Sequence, residues 1–126
     1  MEKLKSAINW FEIPTIDFDR AVRFYSEIYA FDMATSNMGD IKMGFFMHEQ
    51  GVGIGGAIVS GDGNKPSEYG AKLYLNGGAD LLTVLDRVID AGGSIVMGKT
   101  LISDDIGYFA IFDDSEGNRI NLHSMN

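Results

Sequence analysis

The sequence predicts an α+β fold made of two β-α-β-β-β modules, and three observations indicate this. The motif Gly-Phe-Phe at 44–46 recurs as Gly-Tyr-Phe at 107–109, an offset of 63 in a chain of 126 residues. Charge also divides equally, because residues 1–63 and 64–126 each hold nine acidic and five basic side chains. Each half carries one helical pattern among several strand patterns. Similarity at a fixed offset is typical of a repeated structural unit.

The first half has the pattern of a strand, a helix and three more strands. The apolar segment 7–13 predicts the opening strand, which ends at Pro14. Asp17 is a suitable N-cap for a helix, and an apolar stripe at helical spacing continues to about Tyr29. Three short strands are then predicted near 31–36, 41–48 and 52–59.

The second half repeats this order. Residues 71–76 predict a strand, and apolar residues between 81 and 89 form the stripe of a helix. The pair Gly92-Gly93 is a signal for the C-terminal end of that helix. Three strands are predicted near 94–98, 107–112 and 118–123.

We expect one domain over residues 1–126, with module one at about 1–60 and module two at about 70–126. A segment rich in Gly, Ser, Asn and Pro, at about 61–69, is predicted to link them. A four-stranded sheet with one helix has one covered face and one bare face. Two such sheets can therefore close around a shared space.

The composition is that of an ordinary globular protein, with 45% hydrophobic and 22% charged residues. The absence of cysteine excludes a disulfide framework, a thiolate nucleophile and a cysteine-ligated zinc site. A net charge of −8 disfavours nucleic acid and anionic membranes as partners, because phosphate binding needs clustered Lys and Arg. The same charge mildly favours cationic or neutral ligands, although solubility alone would also explain it. No apolar run is long enough for a signal peptide or a membrane span, so we expect a cytoplasmic protein.

The last predicted strand alternates between apolar and polar residues. Ile120 and Leu122 alternate with Arg119, Asn121 and His123. Because successive strand residues point to opposite faces, one face of this strand is apolar and the other is polar. The polar face belongs either to an exposed strand or to a sheet that lines a polar cavity.

Two segments carry a family resemblance. Residues 13–33, IPTIDFDRAVRFYSEIYAFDM, lie near the start of module one, and residues 112–123, FDDSEGNRINLH, end module two. Together they resemble the vicinal oxygen chelate superfamily, which includes glyoxalase I, bleomycin-resistance proteins, fosfomycin-resistance enzymes and extradiol dioxygenases. The second segment resembles the family's Asp-Pro-x-Gly-Asn ending, with Ser115 in place of proline. The resemblance implies the glyoxalase/bleomycin-resistance fold, in which paired modules form an open, barrel-like cavity, and it implies a homodimer.

In metal-dependent members of this family, the ligands come from the first and last strands of each module. The resemblance places the corresponding positions at Trp10 and Gly55 in module one, and at Ala71 and Asn121 in module two. Trp, Ala and Gly side chains cannot ligate a metal, and a neutral Asn is a poor ligand by itself. We therefore expect no metal and no other cofactor.

Residues expected on the cavity side form the predicted ligand-binding set. Trp10 and Glu12 would share that side of the opening strand. A buried carboxylate is costly unless it is paired, so Glu12 either forms an ion pair, with Arg119 or a lysine, or serves as a base or ligand anchor. Gly53 and Gly55, in the strand predicted near 52–59, have no side chains and would leave room on the cavity side for Trp10 or for a ligand. The set is Trp10, Glu12, Gly53, Gly55, Arg119, Asn121 and His123.

The sequence also offers residues for two other kinds of site, a metal site and a nucleotide site. Glu12, His48 and His123 could form a nonstandard metal site, although histidine near a strand end is more often a surface or hydrogen-bonding residue. The segment GVGIGG at 51–56 matches G-x-G-x-x-G. It lies within a predicted strand and not between a strand and a helix, which argues against a nucleotide site.

The leading functional hypothesis is metal-free binding of a small organic molecule in the inter-module cavity, as the resemblance to the bleomycin-resistance branch implies. The alternative is a lyase, isomerase or dioxygenase that acts on a small carbonyl or vicinal-oxygen substrate, with a relocated metal or with Glu12 as base. A third hypothesis is an interaction module whose cavity is packed shut by Trp10 and its neighbours.

Overall fold

A computed structural model describes residues 1–126 and contains two separate four-stranded sheets. In the first sheet the strand order is β1-β4-β3-β2, with β1 parallel to β4 and the other neighbours antiparallel. Its strands are β1 Phe11–Pro14, β2 Ala34–Met38, β3 Ile41–Phe45 and β4 Gly56–Ser60.

The second sheet repeats this topology. Its order is β5-β8-β7-β6, and β5 runs parallel to β8 while the other pairs are antiparallel. The predicted fold class, an α+β arrangement of two β-α-β-β-β modules, is thereby confirmed, and neither sheet closes on itself or on the other. The strands are β5 Tyr74–Asn76, β6 Ser94–Ser103, β7 Gly107–Asp113 and β8 Arg119–Ser124.

Three helices accompany the sheets. The first, α1, spans Phe18–Tyr29, and the predicted N-cap Asp17 accepts a hydrogen bond from the backbone N–H of Arg20 at 3.1 Å. The single helix predicted for module two is instead two short helices, α2 Leu82–Leu85 and α3 Val88–Ala91. The helix is interrupted because the N–H of Arg87 bonds to the carbonyl of Val84, three residues back. None of these helices has the length and apolarity needed to cross a bilayer.

Both sheets turn their helix-covered sides to one shared core. Helix α1 connects them, because Tyr25 and Ile28 lie in the same buried cluster as Ile58 of β4, while Phe24 contacts Phe112 of β7 with 6.0 Å between the ring centroids. The two helix-free faces are therefore turned away from this core. Within one chain they do not close around a shared space.

The largest boundary difference lies between β3 and β4. Strands predicted near 41–48 and 52–59 are shorter in the structure, and residues 46–55 form a loop. Gly51 and Gly53 have φ angles of 78° and 72°, in the left-handed region that side chains disfavour and that strands do not use. Gly51 and Gly53 thus mark a turn, and the expectation that Gly53 and Gly55 lie inside a strand is wrong, because β4 begins only at Gly56.

Candidate small-molecule site

The polar residues of β8 lie on the helix-free face of the second sheet. Ile120 and Leu122 are buried in the shared core, so Arg119, Asn121 and His123 point to the opposite side. Of these three, Asn121 is buried and the other two are half-buried. Solvent reaches this face at Arg119 and His123 but not at Asn121.

Arg119 and His123 already form hydrogen bonds with other groups of the same chain. Arg119 donates from Nε to Asp113 at 3.0 Å and from Nη2 to Glu68 at 3.1 Å. The hydrogen bond with Asp113 is the main reason why the pKa of Arg119 is raised. His123 Nε2 lies 2.5 Å from the carbonyl oxygen of Ile106. Arg119 and His123 therefore brace the sheet and its loops.

Two more residues of the predicted set, Trp10 and Glu12, lie on the helix-free face of the first sheet. There the Trp10 ring contacts Phe45, with 6.3 Å between the ring centroids. Glu12 is exposed, and its carboxylate accepts a hydrogen bond from the Trp10 indole N–H at 3.2 Å. The expectation that Glu12 is buried is therefore wrong, and the ion pair expected with Arg119 or a lysine is absent.

A cleft of about 580 Å³ lies between the modules, beside the edge strands β1 and β5. Its walls are β1 and the 46–55 loop of module one, the C-terminal end of α1, and β5 of module two. Of its 16 lining residues, 11 are hydrophobic. They are Ile8, Phe11, Tyr29, Phe31, Phe46, Met47, His48, Glu49, Val52, Gly53, Ile54, Gly55, Leu73, Tyr74, Leu75 and Asn76.

Two of the predicted ligand-binding residues, Gly53 and Gly55, line this cleft. The space beside Gly55 is filled by His48, because an added Cβ would lie 2.5 Å from Cε1 of the imidazole ring. The expected filler, Trp10, does not line the cleft. The predicted set thus divides among three places, namely the two helix-free faces and the cleft.

Few polar side chains line the cleft, and two of them, Tyr29 and Asn76, are hydrogen-bonded within the chain. The hydroxyl of Tyr29 donates to the carbonyl of Asn76 at 2.8 Å, and burial raises the pKa of Tyr29 well above its ordinary range. The side-chain oxygen of Asn76 accepts from the N–H of Gly78 at 2.8 Å. An apolar cleft with a few convergent polar groups is the usual form of a small-molecule site.

At the other end of the inter-module seam, the β7–β8 turn holds the modules together. The side chain of Glu116 is fully buried, and it accepts hydrogen bonds from the N–H groups of Ile16 and Asp17 at 2.9 and 2.6 Å. Arg20 of α1 donates to the same carboxylate from Nε at 2.7 Å and from Nη2 at 3.1 Å. Module two thereby fixes the start of the module-one helix.

A second buried carboxylate, Asp114, stabilises this turn. It accepts from the Tyr25 hydroxyl at 2.6 Å and from the N–H groups of Glu116 and Asn118 at 2.8 and 2.9 Å. The Asn118 amide donates both to Asp114 at 2.9 Å and to the carbonyl of Pro14 at 2.8 Å. We call Asp114, Glu116 and Asn118 the clamp.

From the sequence, the clamp segment is recognisable only as part of the family resemblance. The signal available was the spacing of Asp114 and Asn118, which are four residues apart around Gly117, a combination suited to a tight side-chain-bonded turn. The corresponding connection in module one, the 46–55 loop, is ten residues long and has no equivalent clamp. The cleft lies where that second clamp would be.

The positions that the family uses for metal ligands do not fit a metal here. Trp10, Gly55 and Ala71 offer no ligand atom in their side chains, and Asn121 offers only a neutral amide. Glu12, His48 and His123 are not brought together either, since no three His, Asp or Glu side chains of the chain form a group able to hold an ion. The nonstandard site considered from the sequence is thus not assembled within one chain.

Residues 7–122 match the family model of the Glyoxalase/Bleomycin resistance protein/Dioxygenase superfamily. A glyoxylase-like domain-containing protein from Didymella fabae is 30% identical over 118 residues, which is 91% of each chain.

Solved structures resemble the fold over nearly the whole chain. The antibiotic binding protein TnmS3 from Streptomyces sp. CB03234 has a TM-score of 0.69 at 22% identity, covering 98% of both chains. A glyoxalase/bleomycin resistance protein from the same organism has a TM-score of 0.68 at 23% identity, covering 92% of this chain and 98% of its own. Family match, relative and fold agree, and the chain belongs to the glyoxalase/bleomycin resistance protein/dioxygenase superfamily.

Proposed function

We propose that this protein binds a small organic molecule, without a metal, in the cleft between its modules. The observation that carries the proposal is the cleft itself. Its volume of about 580 Å³ lies within the range of drug-sized ligand pockets, and 11 of its 16 lining residues are hydrophobic. Burial of a ligand's apolar surface in such a space is the main source of binding free energy.

Two further observations support the proposal. TnmS3, which shares the fold, is described as an antibiotic binding protein, so this scaffold accommodates an organic ligand in at least one relative. The family's metal positions in this chain carry side chains without suitable ligand atoms, which favours binding that depends on shape and apolar contact.

Filling the cleft should weaken binding. Ile54 is a half-buried cleft residue in the 46–55 loop, so Ile54→Trp adds an indole to the cleft with little change to the core. We expect at least a tenfold loss of affinity for any small molecule that raises the melting temperature of the wild-type protein, because its apolar contacts are lost. Isothermal titration calorimetry on both proteins measures this.

A matched variant separates blocking of the cleft from a general effect of an added tryptophan. Val96 is exposed on β6 and does not line the cleft, so Val96→Trp should leave affinity unchanged. Equal affinity of wild type and Ile54→Trp would place the ligand elsewhere and contradict the proposal.

We also propose that a second copy of the chain covers the helix-free faces. Large apolar side chains stand exposed there, including Trp10 at 42% and Met97 at 42%. Apolar surface of this kind is typical of an interface between subunits.

Met97→Glu should weaken a dimer at least tenfold in sedimentation equilibrium, because it buries a charge at the interface. Ile89→Glu on α3, away from the helix-free faces, should not weaken it. A wild-type monomer at all concentrations would refute this.

A further inference from the structure

We infer that the cleft selects a ring-containing, largely apolar molecule with a single positive charge, which is held by Glu49. This inference rests on the proposed function and names the class of ligand for the same site. Three properties of the lining residues carry it, namely their charge, the position of that charge, and the rings that surround it.

The cleft lining contains an acidic side chain but no lysine or arginine to balance it. Glu49 is the only lining residue with a carboxylate, and no lysine or arginine lines the cleft. Glu49 takes part in none of the ion pairs of the chain, so its carboxylate is free for a ligand. The protein as a whole carries a net charge of −8, which attracts cations and repels anions at longer range.

The position of Glu49 suits a partly hydrated contact. The residue is exposed, whereas Phe11, Phe46 and Leu75 form the apolar inner wall of the cleft. A molecule with its ring inside and its charged group beside Glu49 keeps the charge close to water, so the desolvation cost stays small. An anion in the same orientation would meet the carboxylate directly.

The rings of the cleft favour the same ligand class. Phe11 and Phe46 lie with ring centroids 5.4 Å apart, and Phe31 and Tyr74 add further aromatic surface to the lining. Aromatic rings attract other rings by offset or edge contact, and their faces attract cations. The lining holds one imidazole, that of His48, and all probes are titrated at pH 8.

Three naphthalene derivatives that differ in charge test the inference. The probes are 1-naphthylmethylamine as the cation, 1-naphthylmethanol as the neutral form and the anion of 1-naphthaleneacetic acid, titrated by calorimetry at low ionic strength. We expect the amine to bind about fivefold more tightly than the alcohol and the acetate to bind more weakly than both. Glu49→Gln should reduce the affinity for the amine to that of the alcohol and leave the alcohol unchanged. High salt should reduce the same preference.

The controls separate this inference from the proposed function. Asp104→Asn makes the same change in net charge at an exposed position outside the cleft, and the preference for the amine should persist. Binding of the alcohol with no preference for the amine, or a preference that survives in Glu49→Gln, overturns the inference alone. Failure of all three probes to bind overturns both the inference and the small-molecule site.

Discussion

Replacing Glu116 with alanine is expected to lower the free energy of unfolding by about 3 kcal/mol, which corresponds to a fall of about 10 °C in melting temperature for a chain of this size. The buried carboxylate accepts hydrogen bonds from two backbone N–H groups and from Arg20. Alanine leaves these donors without an acceptor at the junction of the modules, and unpaired buried donors are costly. Urea denaturation followed by circular dichroism measures the change.

Two variants test the reason for this loss. Glu27→Ala removes an exposed carboxylate of α1 that makes no side-chain hydrogen bond, and it should change stability by no more than about 0.5 kcal/mol. Glu116→Gln keeps the size and one acceptor but removes the charge, so it should fall between wild type and Glu116→Ala. A Glu116→Ala protein as stable as wild type would show that the clamp does not hold the modules.

The pH dependence of stability gives a second signature of the clamp. Burial alone would raise the pKa of Glu116, but hydrogen bonds from Arg20 and from the N–H of Asp17 outweigh burial and lower it. The unfolded chain therefore binds more protons around pH 4, and the contribution of Glu116 is present above its unfolded pKa and lost as the pH falls through its folded pKa. Wild type should lose more stability than Glu116→Gln between pH 6 and pH 3.

Asp114 has the opposite effect to Glu116 on the pH dependence of stability. Burial raises its pKa despite hydrogen bonds from Tyr25 and Asn118, so in this case the folded chain binds more protons than the unfolded chain. The contribution of Asp114 to stability therefore increases as the pH falls through its folded pKa. Comparison of wild type with Glu116→Gln isolates the Glu116 contribution, because Asp114 is present in both.

The fold was predictable because its signals are local. The Asp17 cap, the stripe that ends near Tyr29 and the alternation around Asn121 each depend on neighbouring residues, and the structure has all three. The repeat then fixed the order of the elements in the second module. Boundaries failed where glycines occur in an apolar run, as at 51–56, because strands and turns share that composition.

The site was predictable only in part, because it depends on how the modules pack. Alternation shows that Trp10 and Asn121 lie on helix-free faces, but it does not show whether those faces meet. In the structure α1 packs against both sheets, so the inter-module cleft is lined instead by helix-side residues such as Phe11 and Leu75. Glu12 was singled out as a buried acid, yet the buried acids are Asp114 and Glu116.

Replacing Tyr25 with phenylalanine is the second large effect that we expect, at about 2 kcal/mol of lost stability at neutral pH. The ring of Tyr25 is fully buried and contacts Phe24 and Phe46, and phenylalanine keeps these contacts. Only the hydroxyl is lost, and with it the 2.6 Å hydrogen bond to Asp114. Burial raises the pKa of Tyr25 far above its ordinary value. The hydroxyl therefore stays protonated and donates a hydrogen bond to the carboxylate of Asp114.

The matched control is Tyr29→Phe, which removes a hydroxyl that bonds to a neutral acceptor, the carbonyl of Asn76, at a similar distance of 2.8 Å. Its cost should be smaller, at about 1 kcal/mol, because hydrogen bonds to neutral groups are weaker than those to ions. The cost of Tyr25→Phe should also shrink as the pH falls through the pKa of Asp114, since a protonated carboxyl needs the donor less. Equal costs for both variants at pH 7, or no change with pH, would mean that Asp114 is not the charged acceptor at the centre of the clamp.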